Sequence, residues 1–201
     1  FWAEGHWSGS HVQAPEWSDF HPDFNLINGR AYPDTIAPSS PLIAHDHILV
    51  PESDGNGNLV PTAGLERLRN QPYSSLVEAN AGEHVLLRFA NLGFKPVSMT
   101  LAGIPMRVIG KDATIMRGRN GHDTSYLTNT ILIVAGESLD VIFEAPQYSG
   151  VGAYDTYLLY NRAYNRSGNT NPDGYQGQMT EVHVYPPGTL PSQDVPHTLP
   201  H

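Results

Sequence analysis

The sequence contains no cysteine. That excludes disulfide staples, a thiol nucleophile and any thiolate metal ligand, and it leaves the redox compartment open. Long apolar runs are also missing. A membrane-spanning helix requires roughly 18–20 apolar residues, whereas the longest run here is ILIVA at 131–135. Charge is scarce at 15%, and positive charge scarcer still, with 11 Lys+Arg against 20 Asp+Glu and a formal net charge of −9. Without a local basic patch, such a surface repels nucleic acid and anionic membranes, so neither is expected as a partner. Gly-x-Ser-x-Gly, His-Glu-x-x-His and phosphate-binding glycine loops are absent, so none of those hydrolytic or nucleotide chemistries is indicated. The first residue is Phe1 and no signal-peptide pattern follows it. The expectation is therefore a processed or excised piece of a longer chain.

Glycine (19) and proline (17) are abundant, and 39% of the 201 residues are apolar. This profile suits one large, turn-rich, all-β domain. From Leu76 onward apolar and polar residues alternate. Val85, Leu87 and Phe89 alternate with His84, Leu86 and Arg88; Leu139, Val141 and Phe143 with Ser138, Asp140 and Glu144; Val182 and Val184 with Glu181 and His183. Period-two patterning predicts strands with one face in a core. Further strands are expected at 97–101, 105–110, 126–134 and 154–160, and the expected core includes Val85, Leu87, Phe89, Val108, Ile131, Ile133, Val141, Phe143, Val182 and Val184. Seven or eight short strands without amphipathic helices predict a sandwich or barrel. An Ala-Gly-Glu echo precedes two of the strands, placing Gly82 and Gly136 in turns and Glu83 and Glu137 at the strand starts. Two such copies fit two equivalent corners of a Greek-key sandwich.

The rest of the chain divides accordingly. Residues 1–23 hold Trp2, Trp7 and Trp17 with His6, His11 and His21, and read as an extended Trp-rich N-terminal arm. An apolar strip of this kind either covers its own domain or forms an interface with a neighbouring domain or subunit, including homo-oligomerisation through the arm. Residues 24–188 form the main domain, opened by FNLING with its Asn-Gly turn. Within it, 37–75 is a loop-rich insertion with one short helix expected around 64–70, and 189–201 is a C-terminal tail.

FNLINGRAYPDT, AGEHVLLRFANLG, MTLAGIPMRVIGKDA, TNTILIVAGESLDVIFEAP, YLLYNR and GQMTEVHVY occur in this order between Phe24 and Tyr185. Together they resemble a cupredoxin domain of the multicopper oxidase (laccase-like) family, most of all its middle or second domain. The resemblance implies a cupredoxin-like Greek-key β-sandwich. It also implies a parent reaction in which a substrate is oxidised and O2 is reduced to water. Copper-bearing members carry a His-Pro-x-His-x-His-Gly hairpin. Aligned by its glycine, Gly103 here, the three histidine positions hold Val97, Thr100 and Ala102. Val and Ala have no lone pair to give a metal. The late His-Cys-His segment would fall in YLLYNRAYN, which has neither histidine nor cysteine, and a blue site needs that thiolate. Met179, near the family's axial-methionine segment, reads as a core residue.

Other clusters are weaker. His45 and His47 in AHDH stand two apart, a spacing that puts both on one face of a strand, and read as surface histidines or an adventitious Zn, Ni or Cu site. Asp54, Asn56 and Asn58 begin like a calcium loop, but Leu59 and Leu65 occupy the positions that need Gly and Glu. Asn165–Ser167 is a glycosylation sequon. Arg117, Arg119, His122 and Asp123 read as a loop or as salt-bridge donors to a partner domain, and Asp112 with Asp123 gives no acid–base pair.

The combined expectation is a structural, copper-free cupredoxin domain of a secreted or periplasmic multicopper oxidase-like protein. Neighbouring cupredoxin domains or subunits would be its partners, copper would sit only in the full-length parent, and no catalytic, cofactor-binding or metal residue lies in this chain. The alternative is a standalone extracytoplasmic binding module with a β-sandwich fold. A third reading gathers His6, His11, His45 and His47 into an adventitious metal site.

Overall fold

The computed structural model describes residues 22, 24–46, 48–163 and 177–192. The expectations for the N-terminal arm, for His6, His11 and His47, for the sequon at Asn165 and for most of the C-terminal tail therefore lie outside the described residues.

The strands are β1 (Leu42–His45), β2 (Ile48–Pro51), β3 (Val77–Asn80), β4 (His84–Ala90), β5 (Val97–Leu101), β6 (Met106–Lys111), β7 (Thr114–Ile115), β8 (Tyr126–Thr128), β9 (Thr130–Ile133), β10 (Ser138–Glu144), β11 (Asp155–Asn161) and β12 (Met179–Tyr185). No α-helix occurs among the described residues. One five-stranded sheet runs β4–β10–β6–β7, with β8 also pairing to β6; the other runs β3–β12–β11–β5–β9. β3 joins β12 in parallel, and the other pairs within these sheets are antiparallel.

The alternation in the sequence sets which face meets which. Val108, Leu139, Val141 and Phe143 from the first sheet join Leu101, Ile131, Ile133, Leu159, Val182 and Val184 from the second in one buried cluster. Burying a side chain of this size stabilises by about 1.5–3 kcal/mol. The chain is thus an all-β sandwich. Val85, Leu87 and Phe89 face the same core from β4 but are only partly buried, because β4 is an edge strand with no neighbour on its far side among the described residues. Met179 does not join this core; it is half-buried at the start of β12, where its carbonyl accepts Thr35 Oγ1 at 2.8 Å.

The two Ala-Gly-Glu turns occupy equivalent corners. Each carries the chain from the second sheet to the first, β3 to β4 and β9 to β10. Gly82 and Gly136 have φ of 82° and 81°, the left-handed conformation that a turn of this type needs. Gly82 N donates to Ala145 O while Ala145 N donates to Glu83 O; Gly136 N donates to Asn91 O while Asn91 N donates to Glu137 O. Each turn therefore clamps the far end of the strand that begins at the other.

Three expectations change. The single strand at 126–134 is two strands in different sheets, with the switch at Asn129, where Thr128 Oγ1 donates to Thr130 O and accepts from Thr130 N. The helix around 64–70 is one 3-10 turn at Glu66–Leu68 that buries Leu68. The stretch 37–75 contains the hairpin β1–β2, in register Leu42↔Pro51 to His45↔Ile48. Its ends are pinned by Arg30, only 2% exposed. That guanidinium donates to the carbonyls of Gln71 (2.8 Å), Ala37 (2.6 Å), Asp34 (3.3 Å) and Pro38 (3.2 Å).

Candidate functional site

The β5–β6 hairpin carries the positions that the resemblance singles out. Met99 and Leu101 are core residues, so strand parity turns Val97 to the core as well and Thr100 to the opposite face. Val97 packs against the core cluster, while Thr100 Oγ1 lies 2.8 Å from Thr130 Oγ1 on β9. Ala102 follows in the turn, its N–H donating to Leu158 O at 2.9 Å. Side chains at 97 and 100 thus leave opposite faces of one strand, and the set offers one hydroxyl, already engaged. It does not fit copper, which takes imidazole or thiolate donors. The YLLYNR segment is β11 and its end. Leu159 is buried, and Asn161 Oδ1 accepts the N–H groups of Ser98 and Ala163 at 3.0 Å each. Tyr164 and Asn165, which complete YLLYNRAYN, lie outside the described residues.

A connected group of titratable side chains lies elsewhere, on the outer face of the second sheet. Val182 and Val184 point inward from β12, so Glu181, His183 and Tyr185 point outward. Glu181 Oε1 accepts from Tyr32 Oη at 2.7 Å, and its Oε2 lies 2.7 Å from His183 Nε2. The His183 ring stacks on Tyr154, with centroids 4.0 Å apart and planes 15° from parallel. Tyr154 in turn meets Tyr185 at 5.2 Å, and Tyr185 Oη donates to Glu78 on β3 at 2.8 Å. His183 is only 6% exposed although it sits on an outer face.

Hydrogen bonding to Glu181 raises the Tyr32 phenol above its ordinary value. Burial, with the bond to Glu78, pushes Tyr185 up to about 12. Both carboxylate oxygens of Glu181 and both of these phenols are engaged, so the group fastens the Tyr32 segment and Tyr154 to β12. It presents no nucleophile. The alternation in TEVHVY marked Glu181 and His183 as a solvent face, and nothing in that stretch reports the stacking ring 29 residues earlier or Tyr32.

The described members of the remaining sequence clusters do not assemble a metal centre. Among the described residues no three His, Cys, Asp or Glu side chains are placed to hold one. His45 is exposed at the end of β1, its Nδ1 3.2 Å from Asp46. Asp112 accepts Ser138 N at 2.9 Å and Asp123 accepts Ser125 N at 2.9 Å, so each carboxylate caps a separate stretch of backbone. Bonding to Ser125 holds Asp123 below the usual carboxylate range. Arg117 and Asp123 face each other across an isolated bridge that closes the 117–123 loop.

Two apolar surfaces stand out. In β1–β2, opposed pairs share a face, so Ile43 and Val50 with Ile48 lie on one side, and Leu42 and Ala44 with Leu49 on the other. Ile43, Ile48 and Leu49 are all exposed. At the β4–β5 connection, Asn91 Nδ2 donates to Lys95 O (2.9 Å) and Ile133 O (3.0 Å), while its Oδ1 accepts Gly93 N (3.0 Å). That knot holds Leu92 and Phe94 outward.

No family model and no curated protein matches the chain. Solved structures do. A blue copper oxidase from Nitrosomonas europaea is 18% identical over 54% of this chain and 30% of its own, with a TM-score of 0.44. The multicopper oxidase mgLAC is 22% identical over 59% of this chain and 32% of its own, at 0.45. A laccase from Botrytis aclada is 20% identical over 72% of this chain and 25% of its own, at 0.41. The chain thus spans about a third or less of the solved structures that it matches.

Proposed function

We propose that this chain is a structural, copper-free cupredoxin-like domain of a multicopper oxidase-like protein. The parent would oxidise a substrate and reduce O2 to water, and it would lie in a secreted or periplasmic compartment. The observation that carries this reading is the donor chemistry of the β5–β6 hairpin, where Val97, Thr100 and Ala102 stand at the ligand positions and Val97 is committed to the core. The absence of cysteine from the whole chain points the same way, since a blue site is built on a Cu–thiolate bond. In this role the sandwich would hold neighbouring cupredoxin domains or subunits at a fixed separation. The exposed apolar surfaces at Leu92 and Phe94 suit such packing.

The test is metal retention. The purified chain, equilibrated with excess Cu(II) and desalted, is expected to keep far less than one copper per chain and to show no oxidase turnover. Copper held one-to-one through a chelating wash would overturn the reading.

A second reading, a standalone binding module, is favoured by the β1–β2 hairpin. An isolated two-stranded hairpin is marginally stable in water, and this one has apolar side chains on both faces. Substituting Ile48 and Leu49 with lysine separates the two readings. Loss of a soluble partner without loss of folding supports the binding module, and unchanged association supports the structural domain.

A further inference from the structure

We propose that Asn56 is a site of spontaneous deamidation, selected by the fold from three Asn-Gly pairs that are equivalent in sequence: Asn28-Gly29, Asn56-Gly57 and Asn120-Gly121. In this reaction the backbone nitrogen of the glycine attacks the asparagine side-chain carbon. The N–H proton passes through solvent to the departing amide, ammonia leaves, and a five-membered succinimide forms. Water then opens the ring to an aspartyl or isoaspartyl residue. One water is consumed and one ammonia released, with no change in oxidation state and no co-reactant. Two conditions control it: the glycine N–H must be free to attack, and the side-chain amide must be free to turn toward it.

The fold withholds at least one of these conditions from each of the other two pairs. Asn120 Oδ1 accepts His122 N at 3.1 Å, and the attacking nitrogen, Gly121 N, donates to Gly118 O at 2.8 Å. Asn28 Nδ2 donates to Ser74 O at 3.3 Å, and its turn is closed on both sides by the Ile27–Arg30 bonds at 2.9 Å. Gln71 crowds that same turn, approaching to 2.9 Å of a Cβ built on Gly29.

All three pairs are exposed, but among the described residues Asn56 alone has both the side-chain amide and the glycine N–H free. Its side chain and Gly57 N have no hydrogen-bond partner among the described residues, both residues are exposed, and nothing lies within 4 Å of a Cβ on Gly57. The cause is Asp54. Its Oδ1 accepts the N–H groups of Asn56 (2.9 Å) and Asn58 (3.1 Å), straddling Gly57 and leaving that N–H without an acceptor. Conversion adds a negative charge beside Asp54 on a chain already at −9. The isoaspartyl product also lengthens the main chain inside the span that Asp54 bridges.

Incubation of the native chain at mildly alkaline pH, followed by peptide mapping with mass spectrometry, tests this. Residue 56 is expected to convert first, roughly tenfold or more ahead of 28 and 120, because each hydrogen bond given up slows the attack severalfold. In urea the three rates should converge, and Asn56→Gln should remove the early acidic form seen on ion exchange. Conversion at 28 or 120 as fast as at 56 in the native chain would overturn the proposal. The same lead for 56 in urea would also overturn it, since the ranking would then owe nothing to the fold.

Discussion

Tyr32 donates its phenolic hydrogen to Glu181 at 2.7 Å across 149 residues of sequence. The same carboxylate holds His183 through its other oxygen. Glu181→Ala leaves a buried imidazole and a phenol without their shared acceptor, and is expected to cost about 2 kcal/mol. Tyr32→Phe removes one hydroxyl and should cost about 1 kcal/mol. Urea unfolding midpoints at constant slope report both losses. Equal losses would mean that His183 does not depend on the carboxylate.

Arg30 is the second long-range fastener. It is a charged side chain with no carboxylate in its hydrogen-bond set, satisfied by three carbonyls from both ends of the 37–75 stretch and by that of Asp34 just before it. Burial pulls its pKa below the ordinary arginine value, partly offset by nearby Asp34. Lysine keeps the charge and loses the planar fork. Arg30→Lys is therefore expected to destabilise by about 2–4 kcal/mol. Limited proteolysis should then cut first within 37–75, and cleavage elsewhere would sever Arg30 from the insertion.

Where a residue's own neighbours fix its environment, the sequence made the fold legible. Alternation on β4, β10 and β12 named the core faces, and the repeated Ala-Gly-Glu named two corners whose hydrogen bonds match pair for pair. Where distant residues decide, it did not. The switch at Asn129 falls within a run of strand formers that only this asparagine interrupts, with no glycine or proline to mark it. The β1–β2 hairpin turns at Asp46, with φ of 47°, and has apolar residues on both faces, so no alternation announced it. Arg30 belongs to a residue type that normally stays wet, and His183 to one of only intermediate burial. Their burial depends on carbonyls and rings contributed from elsewhere in the chain.

The matched corners can be tested as a pair. A Cβ on Gly136 would meet nothing within 4 Å, and one on Gly82 only Gln147 Nε2 at 4.0 Å. Alanine at either position fits sterically, so its cost is that of the left-handed backbone, about 1–2 kcal/mol. Gly82→Ala and Gly136→Ala should lower stability by similar amounts. A difference of several kcal/mol between them, read from thermal unfolding, would deny the equivalence.

Tyr185 supplies a pH dependence with a defined sign. Its folded pKa is raised from the usual 10.0 to about 12, so folding favours the protonated phenol. The associated stability is complete below the unfolded value and is lost as pH rises toward and through the folded one. Between about pH 10 and 12 the wild-type chain should lose stability faster than Tyr185→Phe, which has no proton to give up. Parallel melting curves across that window would remove Tyr185 from the account.

The β5–β6 hairpin yields the prediction that bears most directly on metal chemistry. Placing histidine together at Val97, Thr100 and Ala102 restores the residue types of a copper hairpin but not their convergence, because 97 and 100 leave opposite faces of β5. At 97 the imidazole would have to enter the core, where an unpartnered polar group costs roughly 1–3 kcal/mol. At 100 it would displace a hydroxyl held 2.8 Å from Thr130. The triple variant is expected to lose more than about 2 kcal/mol and to gain no stoichiometric copper, as read by urea unfolding and by metal analysis after a chelating wash. Wild-type stability with one copper per chain would show that the hairpin still holds a ligand geometry and lacks only the donors. The core position of Val97 argues for the opposite outcome.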